Sequence, residues 1–330
     1  DRIFEDCQPE LFITVDCGIS CAKEAQYIYE LGADVIVTDH HELPEILPDC
    51  IVVNPKLQDD YPYDNLCGAG VAFKLACALL GEAAYRYLDF AALATVADSV
   101  PLLGENRDIV TEGLRLINTR PRSCFSALLG KTYDNVTAQN LAFTIAPRIN
   151  AAGRMGDARS AFRLFASDDK GEILELAAKL CAYNAERQKY CDELYASAKA
   201  KLREKGAYGN IIMLADEGWS TGFVGIVAAR LAEEYNRPAI LFVQNGELMK
   251  GSARSIDSVN IYTALRSCSE YIEEFGGHAQ AAGINLKAEN FDALEAALDA
   301  EIARTHTPED FEQRIFVSEE IGEPFSEKFA

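Results

Sequence analysis

Apolar positions along the chain fall into short unbroken runs separated by helix-length stretches, the alternation expected of an α/β fold. Leu11-Phe-Ile-Thr-Val15 reads as a buried strand and ends in Asp16-Cys-Gly18, an acid followed by a turn glycine. Ser20 is placed to cap a helix over 21–31, which Gly32 closes before a second strand over 34–38. The right-handed crossover of such a βαβ unit makes its strands parallel, so Asp16 and Asp39 emerge at the same sheet edge. A third short strand follows over 51–54, and helices are expected over 67–80, 83–97, 111–118 and 138–143. Residues 146–156 then read as a polar loop of small residues carrying Arg148, Asn150 and Arg154. Such a loop can wrap close to phosphate, because glycine and alanine leave the backbone reachable and arginine supplies forked donors.

A charged helix without Gly or Pro beyond Gly171 is predicted over 170–205, a length of about 50 Å that suits a bridge between domains. Beyond Gly206 a second α/β unit begins, with a strand over 210–214, a Gly-rich turn over 218–225 and a helix to Tyr235. Strands over 239–243 and 248–253 form a hairpin around Asn245-Gly246. The segment Phe275 to Gly283 reads as a loop before a last strand and a helix to Arg304.

The chemistry gathers after the second strand. Val35-Ile-Val-Thr-Asp-His-His-Glu42 delivers Asp39, His40 and His41 to the carboxyl end of a buried strand, where open α/β sheets place their ligands. The chain has four histidines, and two of them are adjacent here. Asp98 ends a helix before Pro101, a position that the local pattern alone assigns to a turn. Asp16, Asp39, His40, His41 and Asp98 offer oxygen and imidazole donors without a thiolate, which suits Mn2+ or Mg2+ better than structural zinc. Several carboxylates at one edge would repel unless cations sat among them, and a two-metal hydrolytic site is the economical explanation.

Charge and cysteine usage narrow the class. A net charge of −21 argues against generic adhesion to nucleic acid or anionic membrane, while leaving room for a local basic groove or metal-filled acidic clusters. Ten cysteines are scattered without a Cys-x-x-Cys pair, the usage of reduced thiols in a cytosolic protein. No apolar run approaches the ~20 residues of a membrane span, and no signal peptide precedes the first strand. A soluble, cytoplasmic protein is expected, with both ends reading as cut: the chain starts without Met and stops inside what reads as a further domain.

The ordered blocks resemble a known family. Ile13-Thr-Val-Asp-Cys-Gly18, Thr38-Asp-His-His41 and Ala94-Thr-Val-Ala-Asp-Ser-Val-Pro101 are similar to the second, third and fourth motifs of the DHH phosphoesterase superfamily. Asn54-Pro-Lys56, Tyr61-Pro62, Gly68-Ala-Gly-Val-Ala-Phe-Lys74 and Pro147-Arg-Ile-Asn-Ala-Ala-Gly-Arg154 resemble its RecJ-type single-strand-specific 5′-to-3′ exonucleases. Gly222-Phe-Val-Gly-Ile-Val-Ala-Ala-Arg230, Lys250-Gly-Ser-Ala-Arg-Ser255 and Gly276-Gly-His-Ala-Gln-Ala-Ala-Gly283 resemble the accessory DHHA1 domain.

The resemblance implies a parallel-sheet DHH domain over 1–168, a linker helix over 169–206, a smaller mixed α/β DHHA1 domain over 207–305, and the start of an OB-type domain over 306–330. It makes Asp16 a ligand bridging two metals, His40 and Asp98 ligands of the second metal, and Asp39 a ligand or its anchor. His41 would face the scissile phosphate, Ser252, Arg254 and His278 would receive the strand's 5′ phosphate, and Arg148, Asn150 and Arg154 would line its path. The family's first motif would lie upstream of Asp1, leaving the Mn2+ or Mg2+ site incomplete in this chain, and Ser220 stands where the family usually has histidine. The implied activity is metal-dependent exonucleolytic hydrolysis of single-stranded DNA in repair and recombination, with a single-strand-binding protein or a helicase as candidate partners and no membrane. The competing readings are a DHH phosphoesterase for short oligonucleotides or cyclic-dinucleotide products, and a non-catalytic scaffold.

Overall fold

The computed structural model describes residues 2–57, 61–130, 134–206 and 208–313. It divides into two units, Asp1–Ala185 and Glu186–Ala330. In the first, helix α1 (Arg2–Cys7) leads into a three-stranded sheet of order β1-β2-β3, all parallel, built from β1 (Leu11–Val15), β2 (Asp34–Thr38) and β3 (Ile51–Val53). Helix α2 (Ala22–Glu30) makes the crossover and packs Ala25 and Ile28 against Val35 and Val37. Ser20 does not cap it. Its N-cap is Cys21, whose N–H donates to the Gly18 carbonyl at 2.9 Å; that turn is closed by backbone, with Gly18 at φ +112°.

The rest of this unit is helical. After α3 (Gly68–Leu80) come a 3₁₀ turn (Gly81–Tyr87), α4 (Leu88–Ala97), α5 (Gly104–Thr119) and α6 (Ser123–Leu129). The stretch Gly68–Ala97 is long and apolar enough to cross a membrane by length and composition alone. It is broken at Gly81, φ +59°, and packs Val71, Phe73, Ala91 and Ala92 with Ile109 and Val110 of α5.

Where the sequence suggested a loop over 146–156, the chain is helical: α7 (Ala138–Asn140) passes through a widened π turn (Leu141–Ile145) into α8 (Ala146–Arg154). Pro147 occupies the first turn of α8, where its missing N–H costs nothing, and the π turn before it accommodates the ring. Ala151 and Ala152 are fully buried, so the small residues serve helix packing. Helix α9 (Ala158–Ala166) follows. The long helix α10 (Lys170–Lys205) is 36 residues, and its first half buries Ile173, Leu176, Ala177 and Leu180 with Phe125, Leu128, Ile145 and Leu164.

In the second unit, β4 (Ile212–Asp216), β5 (Ala239–Asn245), β6 (Leu248–Arg254), β7 (Glu274–His278) and β8 (Ala281–Lys287) form a sheet of order β4-β5-β6-β8-β7. Only β4 and β5 are parallel. Helix α11 (Thr221–Tyr235) starts where a Gly-rich turn was expected, taking Gly222 and Gly225 into its first turns. Its neighbour is the second half of α10: Arg230 stacks 3.8 Å from the Tyr195 ring centroid and pairs with Asp192 at 2.8 Å. Helix α12 (Ile261–Ser267) and α13 (Phe291–Thr305) pack Ile261, Leu265, Leu294, Leu298 and Ile302 with Ile240, Phe242 and Ile284 of the sheet. Gly276-Gly-His278 is strand, not loop, paired antiparallel with β8. Phe311 also lies in this core, under the Arg237 guanidinium at 4.1 Å; residues 314–330, within the stretch read as the start of an OB-type domain, lie outside the described residues.

Candidate active site

The parallel register sets β1 and β2 side by side, so the residues just past Val15 and Thr38 meet. Asp16 donates its N–H to the Thr38 carbonyl at 3.0 Å and takes φ +62°, a left-handed conformation that aspartate adopts at moderate cost. Its Oδ1 lies 3.1 Å from His40 Nε2, and Asp98 Oδ2 approaches the same nitrogen at 3.5 Å. Asp98 ends α4, and the next residue, Ser99, also has positive φ, +58°. Non-glycine residues in this region cluster where a surrounding structure fixes functional side chains.

Asp39 is different in kind. It is 1 % exposed and accepts from the Ile19 N–H at 3.0 Å, the His40 N–H at 2.8 Å and the His41 N–H at 3.3 Å. Its Oδ1 also meets His41 Nδ1 at 2.7 Å. A carboxylate there fixes the proton on Nδ1 and leaves Nε2 as the outward lone pair. Burial pushes the Asp39 carboxyl up, but these hydrogen bonds outweigh it and hold the group below its ordinary value. At Asp16 burial prevails: it raises the carboxyl, His40 pulls it back and Asp98 pushes it up again.

Ligand atoms of Asp16, His40 and His41 lie within 4.8 Å of one another, and all are oxygen or imidazole nitrogen, a donor set that fits Mn2+ or Mg2+. Asp16 and Asp98 line a cavity of ≈ 510 Å³ together with Gly68, Phe90, Ile149 and Asn150.

Two neighbours that the sequence did not mark as site residues hold this cluster in place. A Cβ on Gly68, the first residue of α3, would lie 2.2 Å from Asp16 Oδ1, so only glycine lets the helix end approach the carboxylate. Asn54 is buried, donates to the His41 carbonyl at 3.0 Å and accepts from the Lys56 N–H at 2.9 Å, while Lys56 Nζ reaches Glu42 at 2.6 Å. The Asn-Pro-Lys block thus clamps the loop that carries His41. Its signal in the sequence was the block itself, visible without its purpose.

The remaining sequence candidates fall into two groups. On α8, Asn150 lines the cavity and Arg154 is exposed at the helix end, but the Arg148 guanidinium donates to the Leu128 carbonyl, a structural contact. In the second unit, Ser252 and Arg254 stand on one face of β6, with Arg254 Nη1 donating to Ser252 Oγ at 3.0 Å and to the Ala253 carbonyl at 2.7 Å. Arg254 and exposed His278 are both in register with Ala281, and Ser252 and Gly276 with Gly283, so all share that face. A Cβ on Gly225 of α11 would lie 2.8 Å from Ser252 Oγ and 3.1 Å from Arg254 Nη2, so a bare stretch of helix flanks the pair.

Comparison with known proteins supplies the family. Residues 2–96 match the profile of the DHH family, N-terminal domain, and residues 207–304 that of the DHHA1 domain. A crystal structure of exonuclease RecJ bound to manganese has a TM-score of 0.75 and 37% identity, covering 94% of this chain and 79% of that one. The chain belongs to the RecJ branch of the DHH family. RecJ in complex with Mn2+ from Thermus thermophilus aligns with a TM-score of 0.82 and 37% identity over 92% of this chain and 46% of that one. The single-stranded-DNA-specific exonuclease RecJ of Bacillus subtilis is 42% identical over 308 residues, 91% of this chain and 39% of the relative. The chain thus spans about two-fifths of that RecJ and 44% of the curated Thermus thermophilus one.

Proposed function

We propose that the chain carries the core of a divalent-cation-dependent exonuclease that hydrolyses single-stranded DNA from its 5′ end. The observation that carries this reading is the meeting of Asp16 and Asp98, which line one cavity, at the His40 ring, on a scaffold similar to RecJ structures determined with Mn2+. Asp16, His40 and Asp98 would hold the cation, with Asp39 as the buried anchor. When bound, it would polarise a phosphodiester and activate water.

The chain's own groups supply the rest. Asp39 holds the His41 ring so that Nε2 faces outward, suited to meet a phosphoryl oxygen or a second cation. In the second unit, Ser252, Arg254 and His278 offer a hydroxyl, a guanidinium and an imidazole on one strand face, chemistry that prefers a terminal phosphate over an internal one. Asn150 and Arg154 would guide the strand. We take 1–168 as the phosphoesterase domain, 169–206 as the linker helix, 207–305 as the accessory domain and 306–330 as the start of an OB-type domain. The ten free cysteines suit a reducing cytoplasm, and repair and recombination, with a single-strand-binding protein or helicase, would be the setting.

The test compares Mn2+-dependent nucleotide release from 5′-labelled single strands and from the matching duplex, using the full protein. Single-strand preference, and loss of release in Asp16→Asn, are expected. Equal release by Asp16→Asn would remove the carboxylate cluster from the chemistry.

A further inference from the structure

Phe143 is 76% exposed, the most exposed aromatic among the described residues, and nothing in hydrolysis requires it. It sits in the π turn that continues into α8. Spacings of four, three and four residues put Phe143, Pro147, Asn150 and Arg154 along one side of this helical run, and exposure follows the same side: Phe143, Asn150 and Arg154 are exposed and Pro147 half-buried. Asn150 lines the cavity that also holds Asp16 and Asp98. Phe143 therefore lies about 10 Å along the helix from Asn150 and one turn from Ala146, which also lines the cavity.

Charge marks the same segment. Residues 138–166 contain four arginines and one acid, within a chain of net charge −21. Arg148 donates to a carbonyl and Arg163 pairs with Glu172; the side chains of Arg154, Arg159 and Arg163 all reach the surface. A bare aromatic ring on the same helix side as an exposed arginine about 16 Å further along suits a single strand: arginine attracts the backbone and the ring stacks a base, whatever its identity.

We infer that Phe143 is a base-stacking platform for single-stranded DNA, holding a nucleotide beside the cavity that Asp16 and Asp98 line. This rests on the functional reading above, to which it adds a specificity residue. Double-stranded DNA keeps its bases stacked on each other, so a ring that must take a base face favours single strands. Two exposed groups then divide the labour along α8: the ring takes a base face, and Arg154 a phosphate.

The experiment measures binding of a labelled oligothymidylate strand to the full protein by fluorescence anisotropy, in Ca2+ so that the strand is held rather than cut. It repeats this with a strand of the same length made of abasic residues. Phe143→Ala should weaken oligothymidylate binding about ten-fold and leave abasic-strand binding unchanged. Phe143→Trp should restore binding, with indole emission quenched by the strand. Phe162→Ala, which removes an equally bare phenylalanine on α9, 73% exposed, should change neither. Arg154→Ala should instead flatten the salt dependence of binding by about 0.7 on both strands. Unchanged oligothymidylate binding by Phe143→Ala, or an equal loss on both strands, overturns the stacking role while the nuclease reading stands. A wild-type protein that binds no single strand overturns both.

Discussion

The two units build their candidate sites by opposite means. In the first, side chains converge from strand and helix ends, held by backbone: Asp16 and Ser99 at positive φ, and three N–H groups on the Asp39 carboxylate. In the second, Ser252, Arg254 and His278 project from regular antiparallel strands, and the space before them exists because Gly225, Gly276 and Gly283 have no side chains. A cluster set by hydrogen bonds and torsions fails when one partner is removed. A site set by empty space fails when it is filled.

The largest contrast should come from the Asp39 pair. Asp39→Ala strands the Ile19, His40 and His41 N–H groups in a buried place, and should cost about 3–5 kcal/mol of stability by urea unfolding. His40→Ala should leave the fold intact and lower Mn2+ affinity by more than about 100-fold in calorimetric titration, because its Nε2 lies between two carboxylates. His41→Ala should keep Mn2+ affinity within about three-fold if that ring serves the phosphate rather than the cation. Matching metal loss in the two histidine variants would make His41 a ligand, which its position within 4.8 Å of the others permits. No variant of Ser252 or Arg254 should alter metal affinity.

One substitution made in both units sharpens the contrast further. Gly68→Ala places a methyl 2.2 Å from Asp16 Oδ1, within a carboxylate whose backbone is already fixed, so helix α3 or Asp16 must shift. A loss of about 1–3 kcal/mol is expected, together with weakened Mn2+ binding. Gly225→Ala meets a serine hydroxyl at 2.8 Å and the tip of an arginine at 3.1 Å, both able to rotate away, and alanine favours the helix by up to about 1 kcal/mol. Stability should therefore change little, while the kcat/KM advantage of 5′-phosphorylated over 5′-hydroxyl strands falls. A stability loss at Gly225 as large as at Gly68 would mean that the second site is as rigid as the first.

These differences also explain what could be read in the sequence. The parallel βαβ unit, the long helix and the 239–253 hairpin were legible because strand runs, the absence of Gly and Pro beyond Gly171, and an Asn-Gly turn act locally. The Asp16 and His40 meeting was legible because both residues end parallel strands, where position in sequence fixes position in space, whereas Asp98 was legible as a ligand only through the family resemblance. The helix over 146–154 was not, since Pro147 and a run of small residues look alike in a loop and in a first helical turn packed on neighbours. Gly276-Gly-His278 was taken for a loop because glycine carries no strand signal, although its pairing with β8 is regular. Asn54 and Gly68 owe their importance to contacts with His41 and Asp16, and no local pattern encodes those.

The smallest expected effect uses carboxylates outside both sites as references for each unit. Asp157, at the start of α9, accepts from Lys179 Nζ and Ser160 Oγ, each at 2.6 Å, and these bonds hold its carboxyl down at about 2. Asp216, at the end of β4, is lowered by Lys201 at 2.8 Å, burial opposing and the Gly218 N–H assisting. A carboxyl lowered by folding lends stability that is complete above its unfolded value near 3.9 and is lost as pH falls through the folded value. Asp157→Ala should therefore be less stable than the parent at pH 6, with the gap closing as pH falls from about 4 toward 2. Because both groups lie near the surface, the gaps should be small. Trp219, the single tryptophan, is buried with Nε1 on Ser197 Oγ at 3.2 Å, and its emission reports the second unit alone. Amide exchange across 158–166 reports the first. Asp157→Ala should speed that exchange and leave the Trp219 unfolding midpoint unmoved, and Asp216→Ala should do the reverse. If either variant shifts both probes equally, the two units unfold as one body, and the separate sensitivities assigned to their sites would have to be measured against a shared stability.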